Sequence, residues 1–111
     1  MPEPAAQPRI VLTTTATPDE ARILGRTLVE EGLAACVTIV PSIESVYRWE
    51  GKIESANETM LLIKTSAEHL AGLEQRVHAL HSYQVPEFLV LPLEGGSAGY
   101  LKWMGENLLS N

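Results

Sequence analysis

Apolar positions along this chain switch between the two-residue period of a strand and the three-to-four-residue period of a helix. Residues 9–15 (RIVLTTT) are apolar and β-branched and predict a first strand. A helix start follows. Thr17 can cap, Pro18 suits the first helical position, and Glu20 stands three residues after the cap, completing a capping box. Ala21, Leu24, Leu28 and Val29 recur at helical spacing, and Gly32 marks the stop. Residues 34–40 (AACVTIV) read as a buried strand. Pro41 has no N–H to donate and marks a bulge or bend. The strand pattern resumes over residues 43–49, with Ile43, Ser45, Tyr47 and Trp49 on one face, and Gly51 sits in the turn that follows.

Residues 59–65 (TMLLIKT) predict the returning strand. Thr65 or Ser66 caps a second helix with an apolar stripe of Leu70, Leu73, Val77 and Leu80. Residues 88–93 (FLVLPL) give a fourth strand, and Pro92 places it at an edge or an irregularity. Gly95-Gly96-Ser97 turns into a short last helix carrying Leu101, Met104 and Leu108. The order βαββαβ plus one helix is an α+β class, the ferredoxin-like split-βαβ pattern with an extra C-terminal helix. Its middle hairpin is long, with about 30 residues on two strands where typical strands run roughly 5–6. Strands of that length project past a four-stranded sheet, and exposed edges are normally blunted or paired with another chain. Pairing between copies predicts a homo-oligomer. A long loop around Asn57 is the alternative.

Composition narrows the classes. A chain of 111 residues holds one domain, read here as a tail over residues 1–8, with three prolines, and a domain over 9–111. Aromatics are 5%, so the core is aliphatic. Net charge is −6, and the eight Lys and Arg are scattered, which argues against nucleic acid and anionic membrane surfaces and leaves room for cations. Cys36 is the single cysteine and forms no internal disulfide. The N-terminus has no basic region followed by an apolar one, and no apolar run approaches the roughly 20 residues of a membrane span, so a cytoplasmic location is expected.

The chemistry-bearing residues are few. There is no C-x-x-C, H-E-x-x-H, P-loop or G-x-G-x-x-G. Gly95-Gly96 precedes a helix start, which reads as a plain turn with anion attraction as the other reading. Cys36, in an apolar strand, reads as a small buried hydrophobe, with a soft-metal ligand as the alternative. Glu74, His78 and His81 fall at i, i+4 and i+7, a spacing that offers Zn or Cu a carboxylate and two imidazoles, although such histidines are commonly just solvated. Lys64 closes an apolar strand, either snorkelling to water or held for an anionic ligand. His81, Tyr83 and Glu87 flank one loop where proton-transfer groups can meet. No Ser or Cys is visibly activated as a nucleophile, so no catalytic residue is assigned.

Several runs together resemble a known family. They are Ala34-Ala35-Cys36-Val37, Pro41, Tyr47-Arg48-Trp49-Glu50-Gly51-Lys52, and Glu58 through Ile63-Lys64-Thr65. His81-Ser82-Tyr83-Gln84-Val85-Pro86-Glu87 looks like the H-P-Y-E-V-P-E signature of the divalent-cation tolerance protein CutA family, and Tyr100-Leu101 with Trp103 resembles its C-terminal helix. The similarity runs in order from about residue 10 to residue 108. It implies a ferredoxin-like fold assembled as a homotrimer, with long hairpins pairing between subunits and a likeness to PII signalling proteins. It also implies a link to tolerance of copper and other divalent cations, with no obligatory cofactor. Clefts between subunits would gather Trp49, Glu58, Lys64, His81, Tyr83 and Glu87, and Cys36 and His81 are the candidate metal ligands. Ser82 and Gln84 depart from the signature, leaving the loop less rigid and one carboxylate poorer. With Cys36 alone, a copper site of several cysteines within one subunit is impossible. An enzyme acting on a small anionic substrate in the cleft and a PII-like partner-docking trimer are the alternatives.

Overall fold

A computed structural model describes residues 7–109. The elements are β1 (Pro8–Thr15), α1 (Pro18–Glu30), β2 (Cys36–Trp49), β3 (Lys52–Ser66), a single 3-10 turn (Ala67–His69), α2 (Leu70–Leu80), β4 (Leu89–Pro92) and α3 (Ala98–Glu106). The four strands form one sheet in the order β2-β3-β1-β4, antiparallel throughout. That is the ferredoxin-like arrangement, in which β3 separates β1 from β2 and β1 separates β3 from β4. The strand starting at Pro8 shortens the expected tail by one residue, and residues 1–6 of that tail lie outside the described residues.

Local chemistry explains most boundaries. Thr17 caps α1 by accepting the Glu20 N–H at 3.1 Å, with Pro18 in the first turn. Gly32, at φ 72°, lets the chain leave α1, and a side chain there would collide with Leu109. Leu109 donates its N–H to Gly32 O at 3.0 Å, and its carbonyl meets the buried His69 imidazole, which anchors the segment after α3. The hairpin turn is two residues, Glu50 (φ 50°) and Gly51 (φ 80°). Both are left-handed, as a twist-matched type I′ turn requires.

The hairpin is one uninterrupted pair of strands of 14 and 15 residues, with no loop around Asn57. It extends the molecule to 52 Å along its longest axis. Pro41 sits in the register shift between Val40 and Ile43. Val40 pairs with Met60 and Ile43 with Glu58, so Pro41 and Ser42 together oppose Thr59, with Ser42 at φ 60°. The extra residue inverts the alternation of β2. Cys36, Thr38 and Val40 share a sheet face with Ile43, Ser45, Tyr47 and Trp49, although the two sets have opposite parity.

Helices α1 and α2 cover one face of the sheet. Ala21, Leu24, Leu28, Leu73 and Val77 pack on Val11, Leu61 and Ile63, each 0–2% exposed. Val29, expected in that stripe, is 41% exposed. It lies on the flank of α1 toward the β2 edge, beside an open groove of about 420 Å³. Leu80 is likewise exposed at the end of α2. A smaller cluster seats Met104, Leu101 and Leu108 of the C-terminal segment on Ala35.

Among the described residues the opposite face carries no helix over its centre. Cross-strand register lines it in rows. Cys36, Lys64, Ile10 and Leu91 form one, Thr38, Leu62, Leu12 and Leu89 the next, and Val40, Met60 and Thr14 the third. Several of these are large apolar groups left in solvent, among them Val40 (39%), Leu89 (55%) and Leu91 (46%).

Candidate functional site

The polar groups of the chain converge where the open face runs out toward the hairpin. Glu58 on β3 is 8% exposed. Tyr83 Oη donates to its carboxylate at 2.7 Å, and the Ser45 and Thr14 hydroxyls stand near enough to favour its charged form. The alternation of β2 after its bulge puts Ser45 on the same face as Glu58. Burial pushes the Glu58 carboxyl up, but these hydrogen bonds and the charge of His81 outweigh it and hold the group below the usual carboxylate range. Glu58 is therefore a buried anion.

Its surroundings follow from that charge. Burial raises the Tyr83 hydroxyl, and the hydrogen bond to Glu58, its charge, and the charges of Glu20 and Tyr47 raise it further, so the phenol stays protonated. Glu87, two residues before β4, is pushed up by burial and then by the charge of Glu58. The His81 side chain is fully buried. Its Nδ1 accepts the Tyr83 N–H at 3.0 Å and its Nε2 lies 2.6 Å from Thr14 O, so in the neutral ring the proton belongs on Nε2. The His81 and Tyr83 rings lie 4.8 Å apart. Glu20 holds the loop in place by accepting from Ser82 N–H at 3.0 Å and Ser82 Oγ at 2.9 Å, and its carboxylate is 3.7 Å from His81 Nδ1.

Of the residues expected to share a site, one chain brings together Glu58, His81, Tyr83 and Glu87. Lys64 and Trp49 lie elsewhere. Each is six residues along the β3 ladder from Glu58, in opposite directions, or about 20 Å at the rise of a strand. Trp49 ends β2 at the hairpin tip, 55% exposed. Lys64 sits in the Cys36 row, with Nζ 2.6 Å from Thr38 Oγ1 and 3.6 Å from Cys36 Sγ. Cys36 is half-buried on the open face, not enclosed in the core.

The Glu74–His78–His81 grouping does not form. α2 ends at Leu80 and His81 is extended (φ −80°, ψ 142°), so its ring turns off the helix and toward Thr14. Among the described residues no group of three or more His, Cys, Asp and Glu is arranged to hold a metal ion. Three participants were missed by sequence reasoning. Glu20 served there only as a helix-capping residue, Thr14 as a strand residue, and Ser45 as one position on a strand face. Their partners lie 62, 67 and 13 positions away, and no local pattern announces such contacts.

Comparison with known proteins places these features in a family. Residues 9–107 match the sequence model of the family described as CutA1 divalent ion tolerance protein. The chain is 46% identical over 98 residues to the divalent-cation tolerance protein CutA of Thermus thermophilus, covering 88% of this chain and 95% of that protein. It is 50% identical over 98 residues to the chloroplastic protein CutA of Arabidopsis thaliana, covering 87% of this chain and 54% of that longer relative. The crystal structure of CutA1 from Oryza sativa superposes with a TM-score of 0.94 at 39% identity, covering 96% of this chain and 98% of that one.

Proposed function

The chain belongs to the CutA1 divalent ion tolerance family, and from that premise we propose that it is a non-catalytic, homotrimeric binding protein that takes a cation, copper or another divalent ion among the candidates, in clefts between subunits. The observation that carries this reading is Glu58, a buried carboxylate held ionised beside Glu87 and Glu20 with no Lys or Arg ion-paired to it among the described residues. Hydrogen bonds and the His81 charge hold it ionised, and a cation arriving beside it would add to that stabilisation. The half-exposed rows of the open sheet face and the long β2 edge support the trimer, because each needs a partner surface.

The alternative of an anionic substrate has less support. Lys64 is the cation it requires, and because Lys64 lies about 20 Å from Glu58 along the ladder of one chain, that reading needs the Lys64 of a neighbouring subunit in the cleft. The field at the cluster is negative and repels an anion. The projecting hairpin favours a second reading, a trimer that docks a partner protein. Val46, Tyr47, Trp49 and Ile53 stand exposed along it. A cytoplasmic location remains part of the proposal. No helix among the described residues is long and apolar enough to cross a membrane.

Calorimetric titration of Cu²⁺ and Zn²⁺ into the wild type, Cys36→Ser and His81→Ala tests the metal part. Binding that weakens in either variant supports it, and three identical weak isotherms rule it out. A pull-down with the trimer as bait, repeated with Trp49→Ala, tests the docking reading.

A further inference from the structure

We propose that Glu20 is a positioning residue: its carboxylate clamps the loop that carries His81 and Tyr83, replacing with hydrogen bonds the rigidity that a proline ring at position 82 would supply. The clamp's purpose rests on the reading of that loop as part of the site, whereas the clamp itself stands without any ligand.

The loop between α2 and β4 spans residues 81–88 and has no regular secondary structure. Ordering such a stretch costs backbone entropy at every residue. Proline lowers that cost, because it restricts φ in the unfolded chain as well. The signature that this loop resembles has proline where this chain has Ser82. The exchange gives up a ring and gains two donors. Ser82 N–H reaches one Glu20 oxygen at 3.0 Å, and Ser82 Oγ reaches the other at 2.9 Å. Bonds to a charged acceptor are the stronger class.

Both partners are set up for this contact. Thr17 and Pro18 fix the first turn of α1, from which Glu20 projects. Its two oxygens accept from Ser82, 62 positions away, and not from the Thr17 N–H that a closed capping box would satisfy. His81 is at φ −80° and ψ 142°, the extended region that a residue preceding proline occupies. The clamp therefore holds the backbone in the form the ring would select. It also lies between the two groups that build the cluster. His81 Nδ1 accepts the Tyr83 N–H at 3.0 Å, and Tyr83 Oη donates to Glu58 at 2.7 Å.

The test is amide hydrogen exchange of the full-length protein at neutral pH, in the wild type, Glu20→Ala, Ser82→Pro and the double variant. The Tyr83 amide reports opening of the loop, and continued protection of the Leu61 amide in β3 shows that the sheet stays folded. Tyr83 exchange should be roughly tenfold faster in Glu20→Ala. It should stay close to wild type in Ser82→Pro, and adding Glu20→Ala to that variant should change it little. This non-additivity separates a clamp on Ser82 from a general stabilising role.

Equal effects of Glu20→Ala in both backgrounds would place its action elsewhere, on the His81 ring 3.7 Å away or on the end of α1, and would overturn the proposal. So would a Tyr83 amide that is unprotected in the wild type, or one whose exchange Glu20→Ala leaves unchanged. If Ser82→Pro does not fold, Ser82→Ala carries the cycle. Loss of Oγ should then speed exchange by itself and add nothing once Glu20→Ala is in place, and additive losses would contradict the clamp. None of these readouts needs a bound cation, so failure of the cation reading in calorimetry leaves them decisive.

Discussion

The two faces of the sheet are made from the same three long strands and differ in how complete they are. On the helix side Val11, Leu61 and Ile63 are fully buried under α1 and α2. On the other side Leu12, Leu62, Met60 and Leu89 are partly or largely in water, although they are just as apolar. The first face is finished within one chain. The second is left open by the described residues of one chain, and the polar cluster of Glu58, Tyr83 and His81 lies at its margin. A buried carboxylate with no Lys or Arg paired to it among the described residues and an apolar surface without a cover thus occur side by side, which is why we read both as features of one interface.

That contrast can be broken by mutation. The largest expected effect is on the finished face. Leu61→Ala should cost roughly 2–5 kcal/mol in denaturant unfolding, whereas Leu62→Glu should leave the monomer folded and lower the native mass. Equal destabilisation of both, with the mass unchanged, would erase the distinction between the faces. Next comes the buried anion. Glu58→Gln should destabilise by roughly 1–3 kcal/mol at neutral pH, because its hydroxyl donors lose a charged acceptor. The folded carboxyl lies below its unfolded value, so its stabilisation is present above the unfolded value near 4.3 and disappears as pH falls through the folded one. Glu58→Gln should therefore flatten the acid side of the stability curve, measured as the unfolding midpoint between about pH 2 and pH 6.

Smaller effects sharpen the comparison. Gly51→Ala meets no neighbour within 4 Å but must adopt φ 80°, which should cost on the order of 1 kcal/mol by thermal unfolding. Trp49→Ala, at the exposed tip, should change the stability of an isolated chain by less than about 0.5 kcal/mol. An effect of Trp49→Ala on assembly alone, seen as a concentration-dependent mass, would show that the tip is buried between copies.

Much of this architecture was legible in the sequence because a covered face forces a period. Residues 9–15, Thr17 with Pro18, and the Leu24 and Leu28 stripe all announce themselves through packing or capping. Pro41 announced the bulge. The first half of β3 did not announce itself. Residues 52–57 (KIESAN) are exposed or nearly so on both faces, so no alternation is imposed and the stretch reads as loop. The site was legible only in part for a related reason. His81 and Tyr83 are close in sequence, but Glu58 and Glu20 reach them through tertiary contacts that leave no periodic trace. The helical spacing of His78 and His81 misled because the helix stops one residue too soon.

The central claim is that the open face is closed by further copies of the chain. Sedimentation equilibrium of the full-length protein, compared with Leu62→Glu, tests it most directly. The account predicts a wild-type mass three times 12.1 kDa and a folded variant of lower mass. A wild-type mass of 12.1 kDa at micromolar concentration, with the open face in water, would contradict it.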